Sequence, residues 1–184
     1  MSDQNKKGLR SEEVSSIQHL WFGHSNLPKD EDFSFAYKVA KCVAAVDGLH
    51  EMEAYRLKSR MAAIGAPSHV IEEVEAFDVS SVTAKEMFDL FSKVDVPDMM
   101  KAGTAAFIAY EALSVSIGDG ELSDKETIEL RSSVGILGLS ENIFDDLVNV
   151  VLEEEAIRKK RIGIISAAYG GSESGDSFRF KHSA

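Results

Sequence analysis

The sequence predicts an all-α protein, a compact single-domain bundle of about seven or eight helices with an internal two-fold repeat. Apolar residues recur with helical periodicity along most of the 184 residues, and no segment alternates convincingly as a strand would. Three prolines and most of the 13 glycines separate segments of the length of short helices. Two stretches with Asp-Gly at a predicted helix end, AVDGLHEME and SIGDGELSDKE, repeat one local plan.

The composition is that of an ordinary soluble globular domain, with 44% hydrophobic and 28% charged residues. A formal net charge of -11 would repel a phosphate backbone, so we expect no nucleic-acid partner. The single cysteine excludes an internal disulfide and fits a reducing compartment. The first residues lack the apolar stretch of a secretory signal, and no segment is long enough to span a bilayer. We therefore expect a cytoplasmic protein.

The first half of the chain predicts an arm and four helices. Residues 1–30 form an N-terminal arm with at most one short helix, and residues 31–166 form the helical domain. Apolar faces and end signals place helices at about 33–46, at about 51–64, after Pro67 and after the cap Thr83.

The second half contains the most apolar segment, residues 104–118, which is hydrophobic nearly all round and is predicted to be a central buried helix. Helices at about 124–137 and 141–161 follow, and residues 167–184 form a flexible polar tail. The basic run RKKR follows EEE at i,i+4 spacing, which predicts Glu154–Arg158 and Glu155–Lys159 pairs on a solvated face. A docking patch is the alternative.

The two halves of the domain share a plan over about residues 33–78 and 104–161. Each has an apolar helix, Asp-Gly, a turn, a helix with Glu in its first turn, then Gly and a third helix. The first copy is one residue shorter between Asp-Gly and Glu, so we expect the two turns to differ in geometry. The corresponding positions are Asp47-Gly48, Glu53, Leu57 and Gly65 in the first copy, and Asp119-Gly120, Glu126, Leu130 and Gly138 in the second.

These paired segments resemble the tellurite-resistance TerB-like family over most of the chain, from about residue 33 to 161. The resemblance implies a compact domain of seven or eight helices, with acidic turns proposed to bind a divalent metal. It also implies a role in stress response, often through association with other proteins. The first turn departs from the pattern because it is a residue short and has His50 in the place of a cap.

The second turn gathers four carboxylates around one corner, Asp119, Glu121, Asp124 and Glu126. Asp-Gly followed by five residues and Glu matches the back half of an EF-hand loop, but apolar residues occupy the front ligand positions. Two interpretations remain. The carboxylates form an open magnesium- or calcium-type site completed by water, or Ser123 caps the next helix and Glu126 completes its capping box.

The first turn offers mixed nitrogen and oxygen ligands in Asp47, His50, Glu51 and Glu53. Such a set suits zinc, manganese or iron better than calcium. The alternative is an exposed turn histidine near acidic residues, since histidine is not a favoured N-cap. The candidate metal ligands are thus Asp47, His50, Glu53, Asp119, Glu121, Asp124 and Glu126, and the choice among Mg, Ca, Mn and Zn stays open.

Glu111 interrupts the central apolar helix. If it is buried, it is a candidate acid or a member of a polar network, because a buried carboxyl needs a partner or a raised pKa. Otherwise it lies on a wet edge of the helix, as charged residues usually do.

Three functional hypotheses follow. The leading one is a non-enzymatic TerB-like stress-response or accessory protein that binds a protein partner, and a divalent metal at its acidic turns, because no catalytic triad or phosphate-binding motif is present. The alternative is an enzyme or ligand carrier with a pocket between helices, using Glu111 and His50 or Asp47 as acid and base. A structural adaptor recognised through its acidic surface is the third, and a homodimer is compatible with each.

Overall fold

The computed structural model describes residues 29–169, which contain seven α-helices, one 3-10 turn and no strand. The predicted all-α fold is therefore confirmed in this range. The predicted arm up to residue 28 and the tail from residue 170 lie outside the described residues. The helices are α1 (Asp30–Ala44), α2 (Glu51–Ala63), α3 (Ser68–Ala76), α4 (Ala84–Ser92), α5 (Asp98–Ser116), α6 (Asp124–Gly135) and α7 (Glu141–Ala168), with the 3-10 turn at Ile117–Asp119.

Helices α1 and α5 form the centre of the domain, and their contact is the most extensive between any two of the described helices. The C-terminal half of α5 is buried nearly all round, as its composition predicts, and α6 and α7 pack against it. Side chains of α1 that are removed from water include Tyr37, Val39 and Val43. The two acidic turns lie at the ends of these two central helices, so the packing of α1 on α5 positions them.

The repeat predicted from sequence is present in the backbone geometry. In the described range positive φ occurs at four glycines, and all four lie at the matched positions of the two copies. The Asp-Gly glycines have φ of 110° at Gly48 and 105° at Gly120, and the later glycines have 86° at Gly65 and 83° at Gly138. Because L-residues rarely adopt this conformation, each glycine ends its segment at the same place in both copies.

Helix α7 differs from its prediction because it continues to Ala168, seven residues beyond the expected end at Arg161. Gly163 is the single interruption in this extension, and the surrounding residues are isoleucine, serine and alanine, which a helix accommodates. Most of the extension is exposed to solvent. It therefore presents apolar side chains outside the core.

Candidate metal centre at the two acidic turns

The two acidic turns lie against each other in space. The backbone of Gly118, just before the second Asp-Gly, packs directly on the first turn of α2. A Cβ atom at Gly118 would lie 2.9 Å from the Cα of Glu53 and 3.0 Å from the carbonyl oxygen of Met52. A side chain at residue 118 would push the turns apart, so the contact requires glycine.

Both turns open their second helix with the same capping box. In the second copy the Glu126 N–H donates to Ser123 Oγ (3.2 Å) and the Ser123 N–H donates to Glu126 Oε2 (2.9 Å), as predicted. In the first copy His50 takes the role of Ser123. Its Nδ1 accepts from the Met52 N–H (3.2 Å), and its own N–H donates to Glu53 Oε2 (2.7 Å).

The expectation that the two turns differ is thus wrong for the cap itself. The backbone of His50 has φ -74° and ψ 150°, and that of Ser123 has φ -74° and ψ 151°. An unprotonated imidazole nitrogen accepts a backbone hydrogen bond much as a hydroxyl does, which is why histidine can stand at this position. The difference that remains is the 3-10 turn at Ile117–Asp119, which leads into the second Asp-Gly and ends at Gly120.

The capping glutamates meet where the turns touch. Glu53 is 4% exposed and Glu126 is 3% exposed, and their carboxyl groups lie within hydrogen-bonding reach of each other. The pKa of Glu53 is raised to about 8, chiefly by burial and also by the neighbouring Glu126 and the charge of Asp119, while the hydrogen bond from the His50 N–H lowers it. Oε1 of Glu126 is buried and has no hydrogen-bond donor. Two facing carboxyl groups of this kind need a shared proton or a cation between them.

The remaining candidate ligands do not join this pair as a ready-made set. Asp47, His50, Glu121 and Asp124 are exposed. Asp119 is also exposed, and its Oδ1 accepts from the Glu121 N–H (3.0 Å). Within residues 29–169, no three histidine, cysteine or acidic side chains converge closely enough to hold a metal ion. The structure therefore brings together Glu53 and Glu126, with Asp119 in electrostatic range.

This pair fits an oxygen-ligated cation better than zinc. Mg²⁺ commonly binds through one or two carboxylates and keeps several waters, whereas structural zinc takes four protein ligands that include nitrogen or sulfur. Nδ1 of His50 already accepts the hydrogen bond from the Met52 N–H in the helix cap. Oε1 of Glu126 is buried without a hydrogen-bond partner, so a cation beside it would stabilise its negative charge.

Basic side chains from α2 and α7 hold the second turn in place. Arg56 Nη1 donates to the carbonyl oxygen of Ile117 (3.0 Å) and to Glu155 Oε2 (3.0 Å). Lys159 Nζ donates to the carbonyl oxygen of Gly120 (3.0 Å). Sequence reasoning missed both roles, because they depend on how α7 crosses the turn and no spacing along the chain encodes that crossing.

The expected pairing within α7 needs correction. Arg158 bonds to Glu155 (2.7 Å) and not to Glu154, while Glu154 accepts from the Tyr110 hydroxyl (2.9 Å). Glu155 is 3% exposed and forms an internal polar contact, whereas Glu154 and Lys159 lie on the solvated face that the sequence predicts. The predicted pair of Glu155 with Lys159 is present at 3.9 Å.

Glu111 is completely buried, so its placement on a wet edge is wrong. Both of its oxygens accept from Arg60, with Nε to Oε2 at 2.8 Å and Nη2 to Oε1 at 2.7 Å. The Tyr37 hydroxyl also donates to Oε2, and Arg60 lies over the Tyr110 ring at 5.1 Å. Burial raises the pKa of Tyr37 well above its usual value, and the charge of Glu111 adds to this. Glu111 is therefore a member of a satisfied polar network.

A surface pocket of about 360 Å³ occurs elsewhere, lined by the 81–82 segment and by Glu86, Asp89, Leu90 and Lys93. It does not include Glu111 or any residue of the two turns. None of the helices in residues 29–169 combines the length and apolar character needed to cross a membrane.

Fold and site together define an all-helical protein made of two copies of a helix, acidic turn and helix, joined through paired capping glutamates. A crystallised tellurite resistance protein from Nostoc punctiforme has a similar structure, with a TM-score of 0.67 and 27% sequence identity. The match covers 94% of this chain and 98% of that protein. No protein-family model matches the sequence, and no curated protein matches it either. The chain is thus similar in structure to a tellurite resistance protein, and the resemblance predicted from its turns is confirmed.

Proposed function

We propose that this chain is a TerB-like accessory protein of the tellurite and stress response that binds a divalent cation between Glu53 and Glu126. The observation that carries the proposal is the buried Oε1 of Glu126, which has no donor and lies beside a second buried carboxyl group. A hard cation such as Mg²⁺, Mn²⁺ or Ca²⁺ would neutralise both groups and complete its coordination with water. Asp119 would add negative potential at the entrance.

The cation would act by joining the two halves of the repeat. Glu53 belongs to the first copy and Glu126 to the second, and each is fixed by its own capping box. An ion shared by both would resist separation of the turns, which already touch through Gly118. We infer that the exposed acidic residues around this junction then present a fixed surface to a protein partner with complementary basic charge.

Calorimetric titration of the stripped protein with Mg²⁺, Ca²⁺, Mn²⁺ and Zn²⁺ tests the cation site. Wild type should bind one ion per chain, Glu126→Gln and Glu53→Gln should lose it, and Asp119→Asn should weaken it. Gln at the third helical position keeps the capping box, so both variants retain the fold. Glu51→Gln, an exposed neighbour, is the matched control and should bind normally. Absence of binding by wild type for all four ions would refute the site.

The cellular role has a separate test. A strain that lacks the protein should survive tellurite poorly, and wild-type protein should restore survival whereas Glu126→Gln should not. Affinity capture with the same two proteins should recover one stoichiometric partner with wild type and lose it when Asp47, Glu121 and Asp124 are neutralised. Full rescue by Glu126→Gln would separate the cellular role from the cation.

A further inference from the structure

The solvent-facing side of α7 carries a line of apolar residues with seven-residue spacing. Val150, Ile157 and Ile164 are 43%, 62% and 62% exposed. Seven-residue spacing places them on one helix face, the pattern of helices that pair with another helix. The core side of α7 is a different face, which includes Phe144 and Val151.

The charged residues between these apolar positions fall into an acidic half and a basic half. Glu153 and Glu154 lie on the stretch before Ile157, and Lys160 and Arg161 lie on the stretch after it. All four are exposed. In the described part of the chain, Lys160, Arg161 and Glu153 form no ion pair, so their charges remain free for a partner.

This face is complementary to itself when two copies cross antiparallel at Ile157. Ile157 then meets Ile157 of the other copy on a two-fold axis, and the stretch before residue 157 lies beside the stretch after residue 157 of the other copy. The pairing joins Val150 with Ile164 and, on the two sides of this apolar line, Glu153 with Lys160 and Glu154 with Arg161, each twice. A parallel crossing would instead oppose like charges, which is unfavourable.

We propose that the chain forms a two-fold homodimer through this face of α7. A second copy is the occupant that the charge order specifies, because an isologous interface requires a self-complementary surface. With one apolar residue in each heptad, the contact is narrow and depends strongly on its charge pairs. Self-association should therefore be concentration-dependent and weakened by salt.

Charge reversal tests the pairing with sedimentation equilibrium at low salt. Wild type should dimerise, whereas E153K/E154K, with a basic face throughout, and K160E/R161E, with an acidic face throughout, should each associate at least roughly tenfold more weakly. Mixing the two variants should produce a heterodimer, and the fourfold reversal should dimerise like wild type. Rescue on mixing also shows that both variants are folded. A wild type that stays monomeric, or variants that do not combine, would overturn the proposal.

A cysteine at the axis tests the geometry. Cys42 is buried, so C42A removes the natural thiol, and I157C in this background should form a disulfide-linked dimer under mild oxidation. Tyr55→Cys, exposed on α2, is the control and should not cross-link. If a different partner or another segment of the same chain covered this face, I157C would stay uncross-linked and the proposal would fail. None of these variants touches the glutamate pair, so the two proposals fail independently.

Discussion

Glu53 and Glu126 occupy the same capping position in two different helices, and their carboxyl groups meet where the two acidic turns touch. One oxygen of each glutamate accepts a hydrogen bond from the backbone N–H at the start of its helix. Oε1 of Glu126 is left without a donor. A local capping signal, used twice, has thereby produced a buried acidic pair.

The pair should make stability depend on pH in the metal-free protein. The pKa of Glu53 is about 8 when folded against 4.5 for a free glutamate, chiefly through burial. The folded state then binds more protons than the unfolded state between these values, so the free energy of unfolding should fall as pH rises from about 5 to 8, by roughly 3 kcal/mol. Urea unfolding at several pH values measures this.

Glu53→Gln should remove most of that pH dependence while keeping the cap, and it should be more stable than wild type above about pH 8. Glu51→Gln, which changes an exposed carboxyl on the same helical turn, should leave the slope as it is in wild type. A slope unchanged in Glu53→Gln would show that the pair does not share a proton.

Cation binding should release protons. If the pair holds one proton near neutral pH, a divalent ion must displace it, because metal ligands bind in the deprotonated form. Calorimetry of Mn²⁺ binding at pH 7 in buffers of different ionisation enthalpy should reveal close to one proton released per ion. Release should decline above pH 8, where Glu53 is already ionised. Binding without proton release at pH 7 would place the ion away from the pair.

Removing one partner of the Glu111–Arg60 pair and leaving the other should strongly destabilise the fold. Arg60→Met leaves a buried carboxylate with the Tyr37 hydroxyl as its main donor, and should lower the free energy of unfolding by about 3–5 kcal/mol. The double variant Arg60→Met/Glu111→Leu should recover much of that loss, since no unpaired charge remains. Tyr37→Phe, which removes one donor, should cost about 1–2 kcal/mol.

Denaturant unfolding of the three variants measures this cycle. If the double variant were as unstable as Arg60→Met, the pair would stabilise the protein through packing and not through its charges.

Gly118→Ala should drive the two turns apart. The added methyl group would meet the backbone of Glu53 at 2.9 Å, so the fold must shift at a cost of about 1–3 kcal/mol, and the glutamate pair should separate. Gly103→Ala is the matched control in α5, where nothing lies within 4 Å of the new atom, and it should stabilise the helix by about 0.5–1 kcal/mol. Unfolding curves of both variants test the contrast. A neutral Gly118→Ala would mean that the turns are not in firm contact.

Local chemistry made much of the fold predictable from sequence. Asp-Gly ends, capping residues and apolar faces act over a few residues, so the helices and the duplicated turns follow from spacing alone. Ser123 with Glu126 is one example, since the S-x-x-E pattern encodes its own hydrogen bonds. The extension of α7 to Ala168 was not predicted; it continues through Gly163, a residue that disfavours a helix interior.

What the sequence by itself determined is therefore the all-helical class, the repeat and the acidic character of its turns. The tertiary structure alone decided that Glu53 of one copy meets Glu126 of the other, that Glu111 is locked by Arg60, and that Lys159 reaches Gly120. The physical reason is that these contacts join residues far apart in the chain. Their existence depends on how α1 packs on α5 and how α7 crosses the second turn, which no local pattern records.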